Sequence, residues 1–568
     1  MGHVTQGGVR LLLLAVLLWS LSTAPSSTAA SPTAASPTAG VRSPTTMAVT
    51  LVLASRDEKG ALAAGAAAAN PRSPTYRRYY SPAAWIRRFG PNPSAVRPLI
   101  KWLNASGLQV TPWRGGIVLR VTGSSRRVLA VIGKSGDRIT SLPSRFRQVV
   151  RAILGLAGPG PGAPVWRSTA SVIPAASTGY TVRQVTDAYD FAPLYAAAIH
   201  GEHIRVALVE LAPYSSADVV TYAHRLGHGL DLHDHQVDAG NARALANVEA
   251  TVDIELLSAA APAASLDVWN APSDSDGQGL IDAYSAVASD PTVNVLGLTW
   301  VTCEPTAAGI PGFLAAEHLL FAQLAAQGTT IVSAAGDEGA YGCADPDQPA
   351  NAVANTQPAV SVPASDPYVL AVGATDLTLR MSGSAARVAG ESAWSCPAAK
   401  HPACAATSVH GAASGGGLSR VYTKNTDDLS WQVGTGVHSR ISTGGRQVPD
   451  VAASGSSGLG DGHGYAIFYR HAWTLGGGTS AAMPIWAALA ALADQYAMLH
   501  GGSPLGWVNP LVYHLAGSPK PYPPFHDVTK GNNFLYAAGP GWDYASGWGS
   551  PDAWNFVRDT AALSAGHS

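Results

Sequence analysis

A serine that follows glycines and opens an apolar run is placed for nucleophilic chemistry. The string GGGTSAAMPIWAALAALA runs from Gly476 to Ala493, and its apolar part has the length of a helix beginning near Ser480. The Ser480 hydroxyl then stands among backbone N–H groups that have no acceptor within the helix. That setting suits a nucleophile whose attack creates an oxyanion. A serine is also an ordinary helix N-cap, so the string alone does not assign chemistry.

A base is offered by NVEATVDIELLSAAAP, where Glu249 and Asp253 stand four apart. On a helix they share one face and can share a hydrogen bond. Neighbouring carboxyls cannot both ionise cheaply, so they titrate as a pair that holds a proton in acid and still offers one carboxylate. Taken alone, such a pair reads equally well as the wet edge of a surface helix. In IVSAAGDEG, Asp337 occupies a Gly-flanked turn after an apolar strand, the end of a parallel sheet where ligands bind. Near the C-terminus, FHDVTKGNNFLYAAGPGWDYASGWGSPD supplies the charges Asp527 and Asp543 and a Gly-rich turn whose carbonyls can converge. Hard cations such as Ca²⁺ want such oxygens.

These residues need a scaffold. After Tyr180 apolar strands alternate with long helices: strands at 204–210, 293–300 and 329–334, helices at 247–260, 313–327 and 479–499. Nearly continuous apolar strands between helices mean a parallel sheet covered on both faces. A smaller α+β unit precedes it, with strands expected at 48–53, 116–121 and 128–132 and helices at 82–89, 94–106 and 144–156. The stretch 156–178, which contains LAGPGPGAP, reads as an exposed connector.

Together, G-T-S-x-x-x-P with the Glu249/Asp253 helix and the Asp337 turn resembles the sedolisin family, the serine-carboxyl peptidases of subtilisin-like fold. The resemblance covers about 180–551. It implies Ser480 as nucleophile, Glu249 as its general base, Asp253 as the group that orients Glu249, and Asp337 as the oxyanion partner of the Ser480 N–H. Glu210 and Trp300 match positions that extend the hydrogen-bond network behind the acidic pair. It also implies one structural Ca²⁺, held by the Asp527 and Asp543 side chains and the Val528, Gly539 and Gly541 carbonyls. Ala335 and Glu338 depart from the small polar residues common around the oxyanion Asp. A subtilisin would need a histidine, yet His200, His228, His410, His463 and His500 precede glycines without its HGT context. A glutamate near pKa ~4.3 still accepts a proton at pH 4, where an imidazole near ~6.5 is already cationic.

The net charge of −1 conceals a segregation. Residues 47–164 hold 18 Lys and Arg against 3 Asp and Glu, a net of +15, whereas 165–568 hold 16 against 34, a net of −18. The basic unit, with SPTYRRYYSPAAWIRRFGP, resembles the family's activation propeptide and would act as an intramolecular inhibitor that electrostatics holds near neutral pH. Charged residues are 13% of the chain, too few for a nucleic-acid binder. Arg10, the apolar run 11–21 and small residues to 30 have the order of a secretory signal. The expected divisions are therefore 1–30 signal peptide, 31–46 Ser/Thr/Pro/Ala-rich linker, 47–157 propeptide, 158–178 processing linker and 179–568 catalytic domain. A secreted monomer acting on proteins or peptides follows, with no stable membrane association. Cys303, Cys343, Cys396 and Cys404 can form disulfides there in three connectivities, of which 396–404 closes a short loop. His224, His228, His233 and His235 lack HExxH spacing and read as solvated loop histidines. The competing readings are a neutral subtilisin-like peptidase and a catalytically silent binding protein on the same fold.

Overall fold

The structure, a computed structural model, describes residues 46–112, 116–133, 141–156, 166–168, 171–174, 179–238, 240, 247–274, 276–383, 385–437, 439–458, 463–518 and 521–564. The signal segment expected at 1–30, the linker to residue 45 and most of 158–178 lie outside them.

The N-terminal domain is a four-stranded antiparallel sheet in the order Gln109–Pro112, Val118–Ser124, Thr46–Leu53, Val150–Leu154. Its β-α-β-β-α-β path is ferredoxin-like. Alternation splits the first strand between two faces. Val49, Leu51 and Leu53 pack with Leu99, Leu103, Val128 and Ile132 from the domain's own helices. Val52 faces the other way and joins Ala152, Leu154 and Trp85 in a core shared with Ala207, Phe313 and Trp507 of the large domain. One face of the small sheet is thus covered by its own helices and the other by the large domain.

Two expectations fail here. Residues 128–132 belong to a helix, Ser125–Ile132, whose cap Ser124 accepts from the Arg127 N–H and whose Val128 and Ile132 are buried at i, i+4 spacing. The β-branched run had concealed that period. The expected helix at 144–156 is a 3-10 turn, Ser144–Phe146, followed by the strand Val150–Leu154, because that segment completes the sheet edge beside Thr46–Leu53. The Ala-rich helix Glu58–Ala69, capped by Asp57, was not read at all.

In the large domain an eight-stranded sheet runs Ala385–Ala393, Val369–Ser382, Thr330–Ala334, Val295–Leu298, Arg205–Glu210, Ser265–Asn270, Asp231–Gln236, with Val451–Ser454 also on Val369–Ser382. All pairings are parallel except that of Ala385–Ala393. Helices Val248–Ala260 and Thr479–Leu499 cover one face with Val206 and Leu208; helices Gln278–Val287 and Phe313–Gln327 cover the other with Ala207 and Val209. The cysteines pair as Cys303–Cys343 and Cys396–Cys404. His233 and His235 lie on an edge strand rather than a loop, and the His235 ring stacks on Trp269 and bonds Asp267.

Candidate active site

The helices that carry Ser480 and Glu249 share a face of the sheet, and both residues are fully buried. Gly478 precedes the serine helix at φ 97°, a conformation that costs a side chain dearly, and a Cβ on Gly477 would meet the Ser457 backbone at 2.2 Å. The glycines therefore turn the chain sharply from the strand Ala472–Gly477 into the helix. Pro484 lacks an N–H, so the Ser480 carbonyl receives no i+4 bond.

The Ser480 hydroxyl donates to Glu249 Oε1. Glu249 Oε2 accepts a second hydroxyl, that of Ser168 in the connector. One turn on, Asp253 is 1% exposed and its Oδ2 accepts from the Thr299 hydroxyl at 2.6 Å. The wet-helix alternative fails, since Val248–Ala260 is buried on nearly every side. Glu210, at the end of its strand, accepts from the Trp300 indole at 2.8 Å. Glu210 Oε1 and Asp253 Oδ1 are buried with no donor among the described residues, and the two carboxyls interact. A proton shared between them satisfies both. Burial first, then Glu210 and Glu249, pushes Asp253 well above the usual carboxylate range. Burial, with Glu249 adding to it, raises Glu210 to about 8.

Asp337 comes from the turn after Thr330–Ala334. Its Oδ1 accepts from the Thr479 N–H and the Thr479 hydroxyl, both at 2.8 Å, which leaves Oδ2 to carry a proton. Burial raises its pKa well above the ordinary value, and the nearby Glu338 and Glu249 charges add to the shift. The site thus joins a hydroxyl nucleophile, a carboxylate base and a carboxyl whose neutral form burial favours, beside a helix N-terminus. Such a set can perform acyl transfer in acid.

The C-terminal residues gather apart from this centre. Gly541 N–H donates to Asp527 Oδ2 and Gly539 N–H to Asp543 Oδ2, both at 2.9 Å, so both carboxylates hold the 539–541 turn. Asp543 is 9% exposed, pairs with no cation among the described residues, and is raised to about 6 by burial. Asp543 also accepts from the Ala545 and Ser546 N–H groups and the Ser546 hydroxyl, so in the structure N–H and O–H donors surround it; what fits Ca²⁺ is the charge, two carboxylates on one turn with no cation among the described residues.

Sequence reasoning missed Arg167 and Ser168. The connector is not simply exposed: Trp166 is buried, Arg167 forms a β-bridge with Val301, and Ser171–Pro174 pairs with Ala472–Gly477. The available signal was Arg167 itself, the single charged residue between 152 and 182. A second omission is the contact of Arg120 with Asp238 and Asp282, which joins the two domains.

Comparison with known proteins agrees with this geometry. The pro-kumamolisin activation domain family matches residues 36–133 and the subtilase family matches 239–513. Kumamolisin of Bacillus sp. (strain MN-32) is 32% identical over 395 residues, 66% of this chain and 63% of that protein. Sedolisin of Pseudomonas sp. (strain 101) is 28% identical over 548 residues, 89% of this chain and 86% of that one. Human tripeptidyl-peptidase 1 is 26% identical over 329 residues, and the match spans 51% of its length. The chain thus spans under two thirds of the length of two of these relatives. Among solved structures, Pseudomonas sedolisin (serine-carboxyl proteinase) complexed with two molecules of pseudo-iodotyrostatin superposes with a TM-score of 0.54 at 25% identity, over 68% of this chain and 98% of that one. The chain thus carries a pro-kumamolisin activation domain ahead of a subtilase-family domain and is similar to kumamolisin and sedolisin along both.

Proposed function

We propose that this chain is a serine-type peptidase that works in acid and is made as a zymogen. The observation that carries the reading is the hydrogen bond from Ser480 to Glu249, a nucleophile held by a carboxylate. Ser480 Oγ attacks the peptide carbonyl carbon while its proton passes to Glu249. Glu249 returns that proton to the departing amine as the C–N bond breaks, and water then hydrolyses the acyl-enzyme by the same route. Asp253, Glu210 and Trp300 hold Glu249 in place. Neutral Asp337 and the Ser480 N–H stabilise the oxyanion, a role worth about 10²–10³ in rate per donor.

Acid preference follows from two protonation states. Asp337 must be protonated to donate, and a raised pKa keeps it so below its folded value; Glu249 must be ionised to accept. A base with an imidazole's pKa would be silent at pH 4.

The docked activation domain supports intramolecular inhibition. Its Tyr80 N–H donates to the Ala326 carbonyl at 2.9 Å, Tyr79 donates to Pro504, and the Glu58–Ala69 helix lies along Phe313–Gln327. Ca²⁺, held by Asp527, Asp543 and the carbonyls of Val528, Gly539 and Gly541, would supply a structural clamp on the C-terminal loops. Two disulfides fit an oxidising compartment, so the protein works outside the cell. Among the described residues no helix is long and apolar enough to cross a membrane.

The test is incubation of the purified proform at pH 3 to 5 with calcium, followed by N-terminal sequencing and digestion of an unfolded protein. A shortened chain that degrades the substrate in acid supports the reading. An intact or inert protein sinks it in favour of a silent binding protein.

A further inference from the structure

We propose that the outer helical layer of the activation domain binds an anionic polysaccharide, one whose charges are sulfate or phosphate esters, and that the uncut chain is held on this polymer until the domain is removed. The binding itself needs no peptidase activity; only its loss on processing rests on the zymogen reading above.

The net charge of +15 on 47–164 is not spent on the large domain. Seventeen of the 34 carboxylates in 165–568 are buried, so much of the opposite charge lies inside that domain rather than on a face that could take up the basic one. Of the 15 described Lys and Arg residues of the activation domain, 13 are exposed. The domain's own described carboxylates are Asp57 and Glu58, already engaged by Arg88 at 2.9 Å and Arg151 at 2.7 Å. Among its described cations, only Arg120 reaches carboxylates of the large domain. The rest of the charge faces water.

Its placement is as telling as its amount. The helix Pro93–Ala105 turns Leu99 and Leu103 onto the small sheet, on the face that the large domain does not cover, and leaves Arg97 and Lys101 exposed four residues apart on its outer side. The helix Ser125–Ile132 buries Val128 and Ile132 in the same core and exposes Arg126 and Arg127. Arg127 lies against Gly107, just past the end of the first helix, so the two helices present their cations side by side. Arg145 joins them, its guanidinium 4.8 Å above the Phe146 ring, which itself packs on Trp102 of the first helix. Like charges gathered on one layer repel one another, and a polymer of anions relieves that repulsion. Four of these five cations are arginines, whose planar fork matches the oxygens of a sulfate or phosphate group and keeps its charge in acid. Among the described residues of the domain no large apolar side chain is exposed, so nothing there would enter a lipid layer. No exposed aromatic ring offers a base to stack on. Two disulfides suit a polymer met outside the cell.

The probe is dextran sulfate, offered to the full chain carrying Ser480→Ala so that it stays uncut. Binding is expected in low salt, absent with unsulfated dextran, and weaker by at least about a hundredfold when salt is raised from 50 to 300 mM, because each ester contact releases a counterion. The variant Arg97→Ser/Lys101→Ser/Arg126→Ser/Arg127→Ser should lose at least tenfold in affinity. Removing the same number of exposed cations from elements packed toward the large domain, in Lys59→Ser/Arg72→Ser/Arg78→Ser/Arg87→Ser, should cost less than threefold. Equal losses in the two variants would overturn the proposal, since net charge and not the helical layer would then bind. No binding of the unsubstituted layer in low salt would overturn it whether or not either variant folds. Tighter binding to phosphatidylglycerol vesicles or to single-stranded DNA would overturn it in favour of a lipid or a nucleic acid. Failure of the wild-type chain to degrade protein in acid would sink the peptidase reading and leave these binding results standing.

Discussion

Replacing Arg120 by alanine is expected to loosen the docked activation domain at neutral pH and to matter far less in acid. Arg120 Nη1 lies 2.9 Å from Asp282 Oδ2 and also contacts Asp238, while the Thr50 hydroxyl donates to Asp282. The Asp282 side chain is fully buried and the Arg120 side chain is 19% exposed. Removing one partner of a buried ion pair costs about 3–5 kcal/mol. Partial exposure and the remaining Thr50 bond bring this to about 2–3 kcal/mol, or roughly 30- to 150-fold in the opening equilibrium. Burial and then Asp238 push Asp282 well above its ordinary pKa. A group whose folded pKa is raised stabilises the docked state below its ordinary pKa and loses that contribution as pH rises through the folded value. Without Arg120 that loss deepens, so the variant suffers more as pH rises and least in acid. Hydrogen exchange of the strand Thr46–Leu53 in a Ser480→Ala proform reads the opening free energy. An equal loss at pH 4 and pH 7, or none at pH 7, would refute the argument.

Two further outcomes follow from the site. Asp337→Ala should lower kcat at pH 4 by about 10²–10³ with little change in KM. Asp337→Asn, which donates without needing a proton, should instead flatten the loss of activity on the alkaline side, because the raised pKa that sets this limb is gone; stopped-time assays from pH 3 to 7 distinguish them. Calcium at about 100 times its Kd should stabilise the protein by about 2.7 kcal/mol, seen as a Tm several degrees higher than in chelator. Asp543→Ala should abolish that difference.

The residues of the centre were legible because their chemistry is local. Ser480 is marked by its glycines, and Glu249 and Asp253 by a spacing that any helix converts into a shared face. Their burial was not legible, since a four-residue spacing says nothing of what packs around the helix. Arg167, Ser168 and Glu338 escaped because each takes its meaning from a partner far along the chain: Arg167 lies 171 residues from Glu338. The same limit explains the misread segments. Residues 128–132 and 150–154 have similar apolar composition, and only the second has a neighbour, Thr46–Leu53, to pair with. The opposed charges of +15 and −18 foretold an electrostatic clasp, yet among the described residues the salt bridges between the domains are those of Arg120, while much of the contact is apolar. The raised pKa of Asp282 even favours docking in acid at that point. In the proposed reading, acid activation then falls to the catalytic centre itself and to the many other carboxyls of the large domain.

The central claim is that a carboxylate, Glu249, activates Ser480. Its most direct test is the Glu249→Gln variant, matured by cleavage of the linker in trans and assayed on an unfolded protein at pH 4. A proton acceptor lost from a general-base role costs about 10²–10⁴, so kcat/KM should fall by at least a hundredfold while the folded structure, followed by Tm, stays intact. Activity within tenfold of wild type at pH 4 would contradict the account and point to another base.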